Sequence, residues 1–301
     1  MNRFYDVITE SGTWRCQPKG QIRRHDDASY RLPVIGDQVT IDLQRGLKDG
    51  VDGYLLEIKP RTNMLLRSIG DTREQQKVMA ANLAQTLIVQ GIERPGLDFA
   101  MLDRFLVTCE LLLIPACIVF NKVDLNPDAL QCPQIQTYAE LGYPIIETST
   151  KGDIGMGRLK AVLENGISLF AGTSGVGKSS LINWLVPKAN LLTGPVNERR
   201  GTGRHTTTYS VLIPIKGGGY LADSPGLRDF FPPHIAADEV RFGYVEMRDL
   251  QRECKFTSCL HLEEPGCHVK EAVRSGDMAS FRYHNYKAIV ADMQSRERAR
   301  Y

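Results

Sequence analysis

Residues 167–180 read Ile167-Ser168-Leu169-Phe170-Ala171-Gly172-Thr173-Ser174-Gly175-Val176-Gly177-Lys178-Ser179-Ser180. The first five suit a buried strand, and a helix is expected from Lys178 until just before Pro187. Between them, residues 172–179 match G-x-x-x-x-G-K-[ST] at every fixed position. Such a loop lets backbone N–H groups converge on phosphates, with Lys178 adding positive charge and the helix its N-terminal dipole. Its hydroxyls have separate expected tasks: Ser179 to ligate Mg²⁺, Ser180 to belong to the nucleotide contacts. Strand, glycine loop and helix in succession point to an α/β fold.

Upstream, the apolar stretch 116–120 leads into Asn121-Lys122-Val123-Asp124, an N-K-x-D sequence that reads guanine. A carboxylate at Asp124 accepts from the N1–H and the exocyclic amine of guanine; adenine offers neither and leaves the acid unpaired. Asn121 offers a second edge contact, the Lys122 stem can cover the ring, and Ser149 in Thr148-Ser149-Thr150-Lys151 is expected to back the base. Downstream, Asp223-Ser224-Pro225-Gly226 has the D-x-x-G form, so Asp223 and Gly226 are expected at the γ-phosphate. The base motif precedes the phosphate loop, the reverse of the usual GTPase order.

Two more readings concern catalysis. Residues 193–208 are glycine-rich and basic and contain Gly203-Arg204-His205-Thr206-Thr207-Thr208. A threonine here supplies the second Mg²⁺ ligand, Thr207 before Thr206. Leu227 stands where many regulatory GTPases place a water-orienting glutamine. His205 is then the candidate catalytic group, either orienting water or merely touching phosphate or RNA.

At 301 residues the chain is long enough for two or three domains. Residues 1–67 read as short strands broken by turns, a small β-barrel; strands then alternate with helices from 68 to 232, the rhythm of a mostly parallel sheet covered on both faces. Residues 233–301 leave that rhythm, with helices expected over 236–252 and from 280 onward. The formal net charge is only +2, but Arg15, Lys19, Arg23 and Arg24 with Trp14 form a basic stretch able to contact phosphate backbone. The longest apolar run, 111–120, contains Pro115 and is half a membrane span, so no membrane association is expected. The first ten residues lack a signal-peptide pattern, and a cytoplasmic location is expected.

Seven cysteines, an odd number, argue against a disulfide framework. Cys254-x4-Cys259-x-His261-x5-Cys267 supplies three sulfurs and one nitrogen, a full tetrahedral shell for one structural Zn²⁺, with His268 as a competing imidazole.

Barrel, permuted nucleotide motifs and cysteine cluster together resemble the circularly permuted GTPases of the RsgA type that depend on the small ribosomal subunit. Pro33-Val34-Ile35-Gly36-Asp37-Gln38-Val39 and Lys59-Pro60-Arg61-Thr62-Asn63 are similar to that family's N-terminal OB-fold. Gly203-Arg204-His205-Thr206-Thr207 resembles its switch loop, while Thr150 stands where it often has alanine. GTP and GDP are the expected small-molecule partners, and a monomer is expected. The resemblance implies GTP hydrolysis stimulated by the small subunit. It also implies binding of small-subunit rRNA and a role in late subunit maturation.

Overall fold

The computed structural model describes residues 4–24, 32–44, 47, 50–68, 76–187, 211–223 and 235–298. His205, Thr206, Thr207, Gly226 and Leu227 therefore lie outside the described residues.

The N-terminal region forms one four-stranded sheet in the order β1-β2-β4-β3, with β1 Tyr5–Thr9, β2 Gly12–Arg24, β3 Val39–Leu43 and β4 Gly53–Ile58. Among the described residues the expected barrel takes the form of this curved half-barrel. Cys16, Leu55 and Ile58 fill its small core. A two-stranded sheet, β5 Met64–Ser68 and β6 Gln76–Ala81, follows. Its Leu65 and Ala80 already belong to the core of the next unit. The joint is polar and dry: Arg61 Nε donates to Asp37 Oδ1 at 2.7 Å, both side chains buried, and Asn63 pairs with both backbone groups of Leu83 at 2.9 Å.

The central sheet has six strands in the order β11-β12-β10-β7-β8-β9. In chain order come β7 Leu83–Gly91, helix α1 Phe99–Leu111, β8 Ala116–Asn121, α2 Pro133–Glu140, β9 Ile145–Thr148, α3 Met156–Val162, β10 Ile167–Ala171, α4 Lys178–Leu185, β11 Val211–Pro214 and β12 Tyr220–Asp223. All pairings are parallel except β11 with β12, an antiparallel edge. Alternate residues of the central strands feed opposite faces: Leu87, Val89, Cys117 and Val119 pack with Leu159 and Leu181 of α3 and α4, while Ile88, Ile118 and Phe120 pack with Leu102 and Leu106 of α1. Apolar residues on both faces are what a doubly covered parallel sheet requires.

The C-terminal region is built from α5 Met247–Leu250, α6 His268–Ser275 and α7 Ser280–Arg298. The helix expected over 236–252 is broken: a 3-10 turn at Val240–Gly243 gives way to extended backbone at Tyr244 before α5 begins. The break lets Tyr244 turn its ring inward against Tyr286, edge to face at 5.4 Å.

This region packs on α1. That helix buries Leu102, Phe105 and Leu106 toward the sheet and Val107 toward the C-terminal core, so it is enclosed nearly all round. Asp103 is wholly buried with Arg282, which also makes a bidentate pair with Glu246 at 2.8 and 3.0 Å. Tyr138 donates to Asp103 at 2.6 Å and Asn285 at 2.8 Å. Burial pushes the Asp103 carboxyl up, against the pull of the Arg282 guanidinium. Removing one partner from such a network typically costs about 3–5 kcal/mol.

Candidate nucleotide site and metal cluster

Parallel strands end together, and the loops after them meet. Gly91 lies opposite Asn121 in the β7–β8 register, and Ala171 lies opposite Ile88 in the β10–β7 register. The expected nucleotide residues on β8, β9 and β10 therefore arrive at one edge of the sheet, where open α/β folds bind ligands.

Asn121 is buried and its Nδ2 donates to the Val176 carbonyl at 2.9 Å. This bond ties the base motif to the phosphate loop. Thr148 Oγ1 in turn donates to Asn121 Oδ1 at 3.1 Å, which fixes which way the amide points. Gly177 has a φ of +103°, and a Cβ there would collide with Asn121 Nδ2, so the motif pair needs glycine at this position. Gly172, at φ +139°, passes equally close to the Val89 carbonyl.

Lys122 has a φ of +65°, a left-handed conformation rare for a side chain of this size and typical of functional sites. Its ammonium donates to the carbonyls of Gly175 at 2.7 Å, Glu93 at 3.4 Å and Arg94. Burial and the nearby Lys151 charge lower its pKa. Ser149, buried, donates to Asp124 Oδ1 and accepts from the Gly152 N–H at 3.0 Å, so the exposed carboxylate is held from beneath. Lys178 is buried and donates to the carbonyls of Gly172 at 2.6 Å and Thr173 at 2.8 Å. Asp223, also buried, ends β12 beside β10. Val123 is core, Ser179 and Ser180 are half-buried in the first turn of α4, and Ser174 and Gly175 are exposed on the loop crest.

The second cluster lies in the C-terminal region. Cys254, Cys259, His261 and Cys267 have ligand atoms all within 4.8 Å of one another and can hold a metal ion. Nδ1 of His261 is 3.6 Å from Cys254 Sγ and 3.4 Å from Cys267 Sγ, and those two sulfurs are 4.0 Å apart. His268 is outside the cluster, held 3.4 Å from Glu253 and 3.7 Å from Glu271. The loop is pinned around the cluster. Glu264 accepts from the N–H groups of Leu260 at 2.7 Å and Leu262 at 2.8 Å, and Tyr283 and Tyr286 donate to the carbonyls of His261 and Leu260. His261 itself sits at φ +60°. Burial, with the Arg241 charge, pushes its pKa down to about 4, keeping the ring neutral, while burial pushes the Cys259 thiol up to about 12. A cation held by the cluster would favour the thiolate there.

Motif reading gave no role to Glu93, Arg94, Thr148 or Glu264, because their contribution is a backbone carbonyl or a supporting bond with no spacing signature.

The RsgA GTPase family model matches residues 58–231. A protein of Actinobacillus pleuropneumoniae serotype 5b named small ribosomal subunit biogenesis GTPase RsgA is 40% identical over 95% of this chain and 81% of its own. The Shewanella oneidensis protein of that name is 39% identical over 98% and 82%. The chain belongs to the RsgA GTPase family. Among solved structures, YloQ, a circularly permuted GTPase, superposes with a TM-score of 0.73 at 31% identity, covering 97% of this chain and 92% of that one. YjeQ from Thermotoga maritima gives 0.75 at 29%, covering 98% and 99%. The permuted order read from the motifs agrees with YloQ, a circularly permuted GTPase, and the chain is a GTP hydrolase of the ribosome-biogenesis class. No helix among the described residues is long and apolar enough to cross a membrane.

Proposed function

We propose that this RsgA-family chain binds GTP across the β7–β10 edge of the sheet and hydrolyses it when docked on the small ribosomal subunit, late in subunit maturation. The observation that carries the reading is the Asn121–Val176 hydrogen bond, which sets base motif and phosphate loop in one pocket. Asp124, backed by Ser149, reads guanine; Gly172, Thr173, Ser174, Gly175, Val176, Gly177, Lys178, Ser179 and Ser180 take the phosphates; Asp223 and Gly226 answer to the γ-phosphate. Ser179 and Thr207 would hold Mg²⁺, which when bound offsets charge on the β- and γ-phosphates. His205 positions the attacking water, since Leu227 has no polar group for that task.

The metal is read as one structural zinc. At about 2.3 Å from sulfur and about 2.05 Å from nitrogen, tetrahedral zinc requires sulfurs about 3.8 Å apart and sulfur–nitrogen separations of about 3.6 Å. The three spacings among Cys254, His261 and Cys267 fall close to these values, and Cys259 lies within 4.8 Å of each. With four protein ligands, no position is left for substrate. We divide the chain into an RNA-binding domain at 1–67, the GTPase domain at 68–232 and the zinc domain at 233–301, acting as a cytoplasmic monomer. For rRNA, the supporting features are on β2: exposed Arg15 stacks over Phe4 and exposed Lys19 over Tyr54, each cation 5.2 Å from the ring centre. Asp6 and Asp42 lie about 4 Å from these cations and would yield them to phosphate.

The test is the GTPase rate with and without purified small subunits. A rise is expected, and His205→Ala should lose ~10²–10⁴ of the stimulated rate while retaining GTP affinity. No rise with the unmodified chain would overturn the reading; survival of stimulation in the variant would remove His205 from it.

A further inference from the structure

The turn of Glu93, Arg94 and Pro95 leaves β7 and enters α1, and it is held from the nucleotide side. Besides the carbonyl contacts of Lys122, Asn126 Nδ2 donates to Glu93 Oε1 at 3.2 Å. Pro95 also lies so near the phosphate loop that a Cβ on Gly175 would meet its Cδ at 3.2 Å. On the other side the turn runs directly into the helix. Gln90 Oε1 accepts from the Asp98 N–H at 3.2 Å, and Asp98 caps α1 by accepting from the Met101 N–H at 2.9 Å.

Helix α1 then meets the zinc domain along its whole length. Asp103 pairs with Arg282, Arg104 with Asp292 at 2.7 Å, and Glu110 with Arg248 at 2.6 Å. Gly243 lies flat against the helix: a Cβ there would meet Val107 Cγ1 at 2.6 Å and its Cα and carbonyl oxygen at 3.0 Å. Two of those atoms are backbone, so a side chain at 243 cannot be absorbed by a rotamer change and must move one unit against the other.

We propose that α1 is a rigid connector through which the seating of the zinc domain sets the Glu93–Pro95 turn, and thereby how tightly Lys122 and the phosphate loop retain nucleotide. A helix transmits a shift at its middle to its start because its backbone bonds hold it as one body. The buried Asp103–Arg282 pair resists rotation of one unit on the other. This route runs through α1 and is separate from the chain connection at residues 224–234. Coupling of this kind is reciprocal: if the zinc domain affects nucleotide affinity, nucleotide must affect zinc-domain seating by the same factor. The proposal rests on the nucleotide assignment above, and the GDP control below separates the two.

The experiment uses the full chain with its metal. Gly243→Leu wedges the contact, and Asp292→Lys sets a like charge against Arg104 on a part-exposed site that a folded chain tolerates. Release of N-methylanthraniloyl-GDP is timed for both, and amide exchange over residues 282–293 is measured with and without GDP. Expected are a roughly five- to tenfold faster release in both variants, the low end of ordinary coupling, and slower exchange in the unmodified chain when GDP binds. Unchanged release in a variant whose exchange over 282–293 has risen would overturn the connector. Exchange indifferent to GDP in the unmodified chain, with GDP bound, would do so equally. An unmodified chain that binds no GDP would take away the nucleotide assignment itself.

Discussion

The candidate nucleotide site and the Cys/His cluster are both made of short motifs, and each contains one candidate side chain in a left-handed backbone, Lys122 and His261. They differ in what holds them. In the pocket, motifs far apart in sequence are brought together by strand ends and then joined by protein hydrogen bonds, such as Asn121 to Val176 and Ser149 to Asp124. In the cluster, neighbouring residues converge on one point, and the bonds of Glu264, Tyr283 and Tyr286 hold the loop's backbone rather than the ligand atoms themselves. Three sulfurs and one imidazole nitrogen there offer a shell that an ion would complete. A ligand that binds a preformed site adds affinity, whereas one that completes a site adds folding energy.

The sharpest way to break this contrast is to remove the metal. Binding of structural zinc is worth about 10–16 kcal/mol in small domains. Chelation should therefore melt residues 235–298, seen as loss of helical signal from α6 and α7, while GTP still binds, weakened only by the factor expected of the connector. His261→Ala should lose the metal and His268→Ala keep it, by elemental analysis. Melting of the central sheet on chelation would put both regions in one folding unit.

A smaller effect is expected in the pocket. Asp124→Asn replaces a double acceptor with an amide, and hydrogen bonds to a charged group are worth about 1.5–3 kcal/mol. GTP affinity should fall at least tenfold and XTP affinity rise, with the melting temperature unchanged. A large fall in melting temperature would show that the pocket, like the cluster, depends on its recognition groups to stand.

The smallest effect belongs to the border between the regions. Burial disfavours ionised Asp292, but the hydrogen bond from Arg104 and the charges of Arg296 and Arg104 outweigh it and hold the carboxyl below the usual 3.8. A depressed carboxylate stabilises the fold above its unfolded value and loses that contribution as pH falls through the folded one. With the side chain 31% exposed, about 0.5 kcal/mol is at stake. Urea midpoints of the chain and of Asp292→Asn should differ slightly near neutral pH and converge below 3.8.

Much of this was legible because phosphate loops, base motifs and metal ligands have fixed spacing, and because strands covered on both faces are continuously apolar. The expected helix over 236–252 failed for a tertiary reason. Its helical pattern is real, but Tyr244 gains more by leaving the helix to pack against Tyr286 and the Arg282 guanidinium, 4.4 Å from its ring centre. Asp103 had no signal at all: a lone acid in an apolar helix is read as exposed until its partner, far away in sequence, is known.

The sequence by itself determined which chemistry the chain carries, since Gly172 to Ser179, Asn121 to Asp124 and the Cys/His spacing are local patterns set by the geometry of phosphate, guanine and a tetrahedral ion. Only the tertiary structure decided how those sites are joined. That Lys122 bridges the phosphate loop to the turn before α1, that Gly243 rests on Val107, and that Arg282 answers Asp103 are contacts between residues with no sequence relation. They arise because one helix must satisfy the sheet on one side and the C-terminal region on the other, a constraint that exists only in three dimensions.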